Sequence, residues 1–73
     1  MIDLDEDAVR QVVGARIRGA REAAALTQTA LAKRLGCAQG LVSSWESGDR
    51  LPAVPTLLAL ARALDVSPGD LLP

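Results

Sequence analysis

No histidine, tyrosine or phenylalanine occurs among the 73 residues, and each absence removes a class of chemistry. Without histidine the chain lacks the commonest metal ligand and the side chain that most often moves protons near neutral pH. A single cysteine, Cys37, completes no structural zinc set and no internal disulfide. The remaining acids and bases are dispersed over what read as helix surfaces, so neither a catalytic constellation nor a cofactor or metal is expected. No apolar run approaches the roughly 18 residues that a membrane span needs, and the start, Met1-Ile2-Asp3-Leu4-Asp5-Glu6-Asp7, is acidic where a secretory leader is basic. The sequence therefore predicts a cytoplasmic protein without membrane association.

What is present suits one small helical domain. A hydrophobic fraction of 49% with 23% charged residues is that of a folded chain rather than a disordered one. At 73 residues there is room for one core, burying about 60% of the surface that the unfolded chain exposes. Trp45 is the one aromatic residue, and the apolar remainder is Ala, Leu, Val and Ile, a mixture for closely packed helices. The net charge of −1 conceals an uneven distribution. Residues 16–50 carry Arg16, Arg18, Arg21, Lys33, Arg34 and Arg50 against Glu22, Glu46 and Asp49, a local excess of three positive charges. Acid collects at the ends, in Asp3, Asp5, Glu6, Asp7, Asp65 and Asp70.

Periodicity gives the elements. Val9, Val12, Val13, Ile17, Ala20 and Ala24 recur at three and four residue intervals, predicting a first helix of about 20 residues from Asp5 to Ala24. Gly14 and Gly19 lie inside it, which points to close packing against a neighbour, or to a break near Gly14. Thr27 caps a short second helix that carries Ala30, Leu31, Arg34 and Leu35 and ends at Gly36. A third helix runs from Gln39 to Ser47 and stops at Gly48, and Gly48-Asp49-Arg50-Leu51-Pro52 reads as a turn. Leu57, Leu60, Ala61 and Leu64 mark a fourth helix. Ser67-Pro68-Gly69-Asp70 combines a cap, a proline at the first helical position and a carboxylate at the third, predicting a final single turn through Leu72.

Plotted at 100° per residue, the third helix sets Gln39, Gly40, Ser43, Ser44 and Ser47 on one face and Val42, Trp45 and Glu46 on the other. The outer face is small, uncharged and able to form hydrogen bonds. Two short helices joined by a tight turn, the second polar outward, fit a major groove about 12 Å wide. In that setting glutamine pairs bidentately with adenine, serine reaches several base edges, and a glycine permits close approach.

The segments Leu26-Thr27-Gln28, Leu31-Ala32-Lys33-Arg34-Leu35-Gly36, Trp45-Glu46-Ser47-Gly48 and Leu60-Ala61-Arg62-Ala63-Leu64, in this order and spacing, resemble the Cro and phage-repressor-like family of helix-turn-helix proteins. The resemblance covers residues 13–72. It implies an all-α, five-helix, lambda-repressor-like domain over residues 13–73, with the helix-turn-helix unit at 28–47 and residues 1–12 as an acidic extension of the first helix. It also implies double-stranded DNA binding as a transcriptional regulator of the repressor type. By the same resemblance Gln28 grips a phosphate beside Thr27, while Gln39 begins the reading helix, reaches a base and packs near Gln28. Gly40 and Ser44 face the bases, beside Ser43 and Ser47 of the same plotted face; Arg21 pairs with Glu46, and Arg50 either approaches a phosphate or the minor groove or is simply solvated.

Some positions depart from the family pattern. Ala38 stands where a capping Ser or Thr is common, a loss of about 1 kcal/mol. Leu41 either touches a thymine methyl or extends the core toward the second helix. Ser44 replaces a frequent arginine, and no Lys or Arg lies on the outer face, which predicts an operator leaning to A·T pairs. Cys37 reads as a structural thiol in the turn. One such helix reads only a few base pairs, so the expected partner is a second copy on a pseudo-palindrome; Leu51, Pro55, Leu58, Leu72 and Pro73 either form a self-complementary patch for it or pack as loop residues within the monomer. Two other readings remain open: an antitoxin-like binder of both DNA and a toxin, and a protein-interaction adaptor that has lost DNA reading.

Overall fold

The computed structural model describes residues 5–73, leaving Asp3 and the rest of the acidic start at residues 1–4 outside the description. Helix α1, Glu6–Ala23, begins where Asp5 accepts hydrogen bonds from the N–H groups of Asp7 at 3.0 Å and Ala8 at 3.4 Å. It is continuous through Gly14. A Cβ at that position would lie 2.7 Å from the Glu46 carbonyl oxygen and closer still to that of Trp45, so the glycine lets α1 rest on the backbone of the third helix. Gly19 is different: a Cβ there meets open space, and the expected close packing is confined to Gly14.

Helix α2, Gln28–Leu35, is capped by Thr27, whose hydroxyl accepts from the Ala30 N–H at 3.0 Å, and ends on Gly36 at φ +70°. Helix α3, Gln39–Ser47, ends on Gly48 at φ +84°, and Ala38 at its start supplies no side-chain cap. Helix α4, Val54–Leu64, carries Pro55 in its first turn, where a missing N–H costs nothing. The fifth element is a 3-10 turn, Pro68–Leu71, rather than an α-helix. Its four residues close through Asp70 N–H to Ser67 carbonyl at 2.9 Å and Leu72 N–H to Gly69 carbonyl at 3.3 Å, and the Asp70 carboxylate accepts from the Ser67 N–H at 3.1 Å.

Four α-helices and this turn share one core. Val13 and Ile17 of α1, Leu31 and Ala32 of α2, and Val42 and Trp45 of α3 meet Leu57, Leu60, Ala61 and Leu64 of α4, with Leu71 closing the base. Ala24, expected on the apolar stripe of α1, is instead its exposed C-cap. Helix α3 packs most extensively on α1 and next on α2, so its inner face is fixed from two sides. None of the described helices is long and apolar enough to cross a membrane.

Candidate nucleic-acid interface

The outer face of α3 and the start of α2 lie side by side, joined by a chain of hydrogen bonds. Its inner end is a two-pronged ion pair, in which Arg21 of α1 donates from Nε to Glu46 Oε2 at 2.7 Å and from Nη2 to Oε1 at 2.9 Å. The two side chains are 12% and 4% exposed, so the pair sits almost within the core. Arg21 also donates from Nη1 to the Leu26 carbonyl at 2.8 Å, tying the loop between α1 and α2 to the same point. Gln28 then donates from Nε2 to Glu46 Oε1 at 3.1 Å, and Gln39 donates from Nε2 to Gln28 Oε1 at 2.7 Å. Side chains from three helices thus orient the exposed amide of Gln39.

The electrostatics follow from this geometry. Burial acts to raise the Glu46 carboxyl, but hydrogen bonds from Arg21 and Gln28 and the arginine charge outweigh it and hold the group below its ordinary value of 4.5. The hydrogen bond to Glu46 correspondingly raises Arg21, against the cost of burial.

Most of the expected residues come together. Gln39, Gly40 and Ser47 are exposed, and Ser43 and Ser44 are half-buried on the same face. Two hydroxyl protons are already committed: Ser44 Oγ donates to the Gly40 carbonyl at 3.0 Å and Ser47 Oγ to the Ser44 carbonyl at 3.1 Å. Ser44 therefore presents lone pairs outward, as an acceptor, while Ser47 Oγ also accepts from the Asp49 N–H at 3.4 Å and keeps one lone pair free. Thr27 takes the Ala30 N–H and leaves the N–H groups of Gln28 and Thr29 without an intrahelical acceptor at the open end of α2. Leu41 is partly buried against the core and shares a hollow with Leu35, Cys37 and Trp45, the packing alternative of its two expectations. Cys37 is a free, half-buried thiol in the turn.

Arg50 stands apart, exposed on the loop after α3 beside a hollow formed with Val9, Arg10 and Leu51. The apolar patch divides similarly. Leu58 and Pro55 line a hollow with Leu35 and Ala59 flanked by Arg34 and Arg62, whereas Leu51 lines the hollow beside Arg50. Val54, 69% exposed, lies one helical turn before Leu58 on α4 and was not among the residues expected in that patch. The bond between Gln28 and Glu46 was also invisible in the sequence, because the two residues lie on different helices whose mutual placement no periodicity gives.

Comparison with known proteins places these features among similar chains. A family model described as Helix-turn-helix matches residues 17–71. Repressor protein C2 of Salmonella phage P22 is 40% identical over 62 residues, covering 85% of this chain and 29% of its own. The HTH-type transcriptional regulator DicA of Escherichia coli is 43% identical over 60 residues, covering 82% of this chain and 44% of its own. The chain therefore spans less than half the length of these two relatives. Among solved structures, the restriction-modification controller protein C.AhdI of Aeromonas hydrophila superposes with a TM-score of 0.82 at 35% identity, over 86% of this chain and 96% of that one. The P22 c2 repressor in complex with a synthetic operator superposes with a TM-score of 0.79 at 40% identity, over 85% of this chain and 94% of that one.

Proposed function

The chain belongs to the Helix-turn-helix family, and from that premise we propose that it is a sequence-specific, double-stranded DNA-binding transcriptional regulator of the repressor type, acting in the cytoplasm. The observation that carries the reading is the Gln28 and Gln39 pair, held from behind by Glu46 and Arg21 at the outer edge of α3. A helix reads base edges well only when its side chains are held in place before contact, and this chain of bonds supplies that order. The similarity to a repressor solved on operator DNA supports the same orientation.

Residues 28–47 form the reading unit. The open N–H groups at the start of α2, with Thr27 and Gln28, grip a phosphate. Gln39 pairs with adenine, and Gly40, Ser43, Ser44 and Ser47 face the bases, with Leu41 at their edge. Serines that present lone pairs suit base amino groups, and a face without Lys or Arg offers no bidentate guanine contact, which supports an A·T-leaning operator. Two copies on a pseudo-palindrome set their α3 helices about 34 Å apart. The exposed Val54 and Leu58 on α4 are the surface that a second copy covers.

Selection of bound sequences from random duplex DNA, followed by titration of the winner with wild type and Gln39→Ala at several salt concentrations, tests the proposal. The expected result is a palindromic consensus, bound less tightly as salt rises and re-specified by the substitution. No enrichment even at low salt would overturn it in favour of a protein-interaction adaptor or an antitoxin-like chain that needs its partner.

A further inference from the structure

The chain of bonds from Arg21 to Gln39 has a direction, and chemistry fixes it. A charged carboxylate only accepts hydrogen bonds. Glu46, facing the Arg21 guanidinium at 2.7 and 2.9 Å, can therefore meet Gln28 only through the amide nitrogen of that glutamine, which lies 3.1 Å away. Gln28 is left with its Oε1 turned outward. An amide oxygen also only accepts, so Gln39 meets it through Nε2, at 2.7 Å. What Gln39 then carries on its free edge is Oε1 and the second proton of Nε2. A glutamine amide without such a constraint adopts either order of oxygen and nitrogen, whereas here one carboxylate selects the order two side chains away.

We propose that Glu46, which lies behind the outer face of α3 and touches no base, determines which base Gln39 reads. The inference rests on the reading of Gln39 as a base-contacting residue. In the fixed order Gln39 offers one acceptor and one donor, the complement of the N6 donor and N7 acceptor of adenine in the major groove. Guanine offers N7 and O6, both acceptors, and the outward Oε1 faces one of them with no proton between. An amide free to turn would point its nitrogen outward and accept guanine as well. Glu46 is thus a positioning residue, acting on specificity through Gln28.

The test measures a ratio of affinities rather than an affinity. Operator duplexes are prepared with A·T or G·C at the one pair whose identity ceases to matter in Gln39→Ala, and each is titrated with wild type, Glu46→Gln and Gln28→Met. Glu46→Gln keeps the size of the side chain but replaces an acceptor with a donor, so the chain of bonds can run either way. Gln28→Met breaks the chain while leaving the Arg21 and Glu46 pair intact, and it decides alone if thermal unfolding shows that Glu46→Gln does not fold. The expected result is that either variant lowers the preference for adenine over guanine at that pair about tenfold. Gln28→Met additionally weakens binding to all duplexes alike through the lost phosphate contact. A folded variant that keeps the wild-type ratio, where Gln39→Ala abolishes it, overturns the role of Glu46 and leaves the reading of Gln39 standing. If Gln39→Ala leaves base discrimination unchanged at every pair of the operator, both readings are overturned.

Discussion

Gly14 and Glu46 show how one residue on an inner face governs the outer one. At Gly14 the absence of a Cβ allows α1 to lie directly on the carbonyl groups of Trp45 and Glu46, the two residues that anchor α3 from within. Gly14→Ala improves helix propensity by about 1 kcal/mol but forces two backbones apart, and overpacking of this kind costs roughly 1 to 3 kcal/mol. The net expectation is a lower melting temperature, while Gly19→Ala, facing open space, raises it; equal effects of the two substitutions would contradict the close-approach argument. Glu46 adds a pH dependence. Its folded-state pKa lies below the ordinary 4.5, so its contribution is complete above that value and disappears as pH falls through the folded pKa. Stability therefore drops in the acid range below about pH 4.5, and Glu46→Gln flattens that part of the curve measured by denaturant titration at stepped pH. Glu46→Ala leaves Arg21 unpaired near the core and costs about 3 kcal/mol, the low end for such a break because Arg21 keeps its bond to the Leu26 carbonyl.

The helices explain why some boundaries were legible and others were not. Each α-helix ends in a left-handed residue, with the next N–H bonded back into the last turn: Leu26 to Arg21, Cys37 to Ala32, Asp49 to Ser44 and Val66 to Ala61, all between 2.9 and 3.1 Å. In α2 and α3 that residue is Gly36 or Gly48, and both stops are plain in the sequence. After α1 and α4 it is Ala25 at φ +58° and Asp65 at φ +55°, both exposed; alanine rarely adopts this conformation and aspartate only occasionally, so neither marks a stop as glycine does. Capping by Thr27 was equally readable from local chemistry, as was the paired role of Arg21 and Glu46 from the family likeness. The bond from Gln28 to Glu46 was not, since it exists only once α2 and α3 are packed together. Ala25→Gly removes the left-handed penalty at no cost in contacts and is expected to stabilise the domain by about 1 kcal/mol, raising the melting temperature by about 4 to 8 °C. An unchanged or lower melting temperature would show that Ala25 is not strained.

On the scale of the whole molecule, the local excess of positive charge in residues 16–50 overstates what can face DNA. Arg21 is bound to Glu46, Arg16 donates to the Asp70 carbonyl at 3.4 Å, Arg34 donates to the Ala63 carbonyl at 3.2 Å, and Arg18 lies 3.8 Å from Glu22. Three of these cations tie one element to another, and Arg18 pairs within α1. Of the six in that stretch, Lys33 and Arg50 have no intramolecular partner among the described residues. The contacts from the start of α2 and from Gln28 are neutral and displace no counterions, so they add affinity without salt dependence. With Lys33 and Arg50 as the phosphate contacts of each copy, a dimer gives a slope of log affinity against log salt of about −4, against about −11 if all six of that stretch reached phosphates. Arg50→Ala is expected to make the slope shallower by about 1 per copy. Arg34→Ala should lower the melting temperature and leave the slope unchanged, because its hydrogen bond closes α4 rather than facing outward. A wild-type slope steeper than about −6 would mean that the buried or bonded arginines leave their partners on the operator, and the division of charge into structural and phosphate-facing sets would fail.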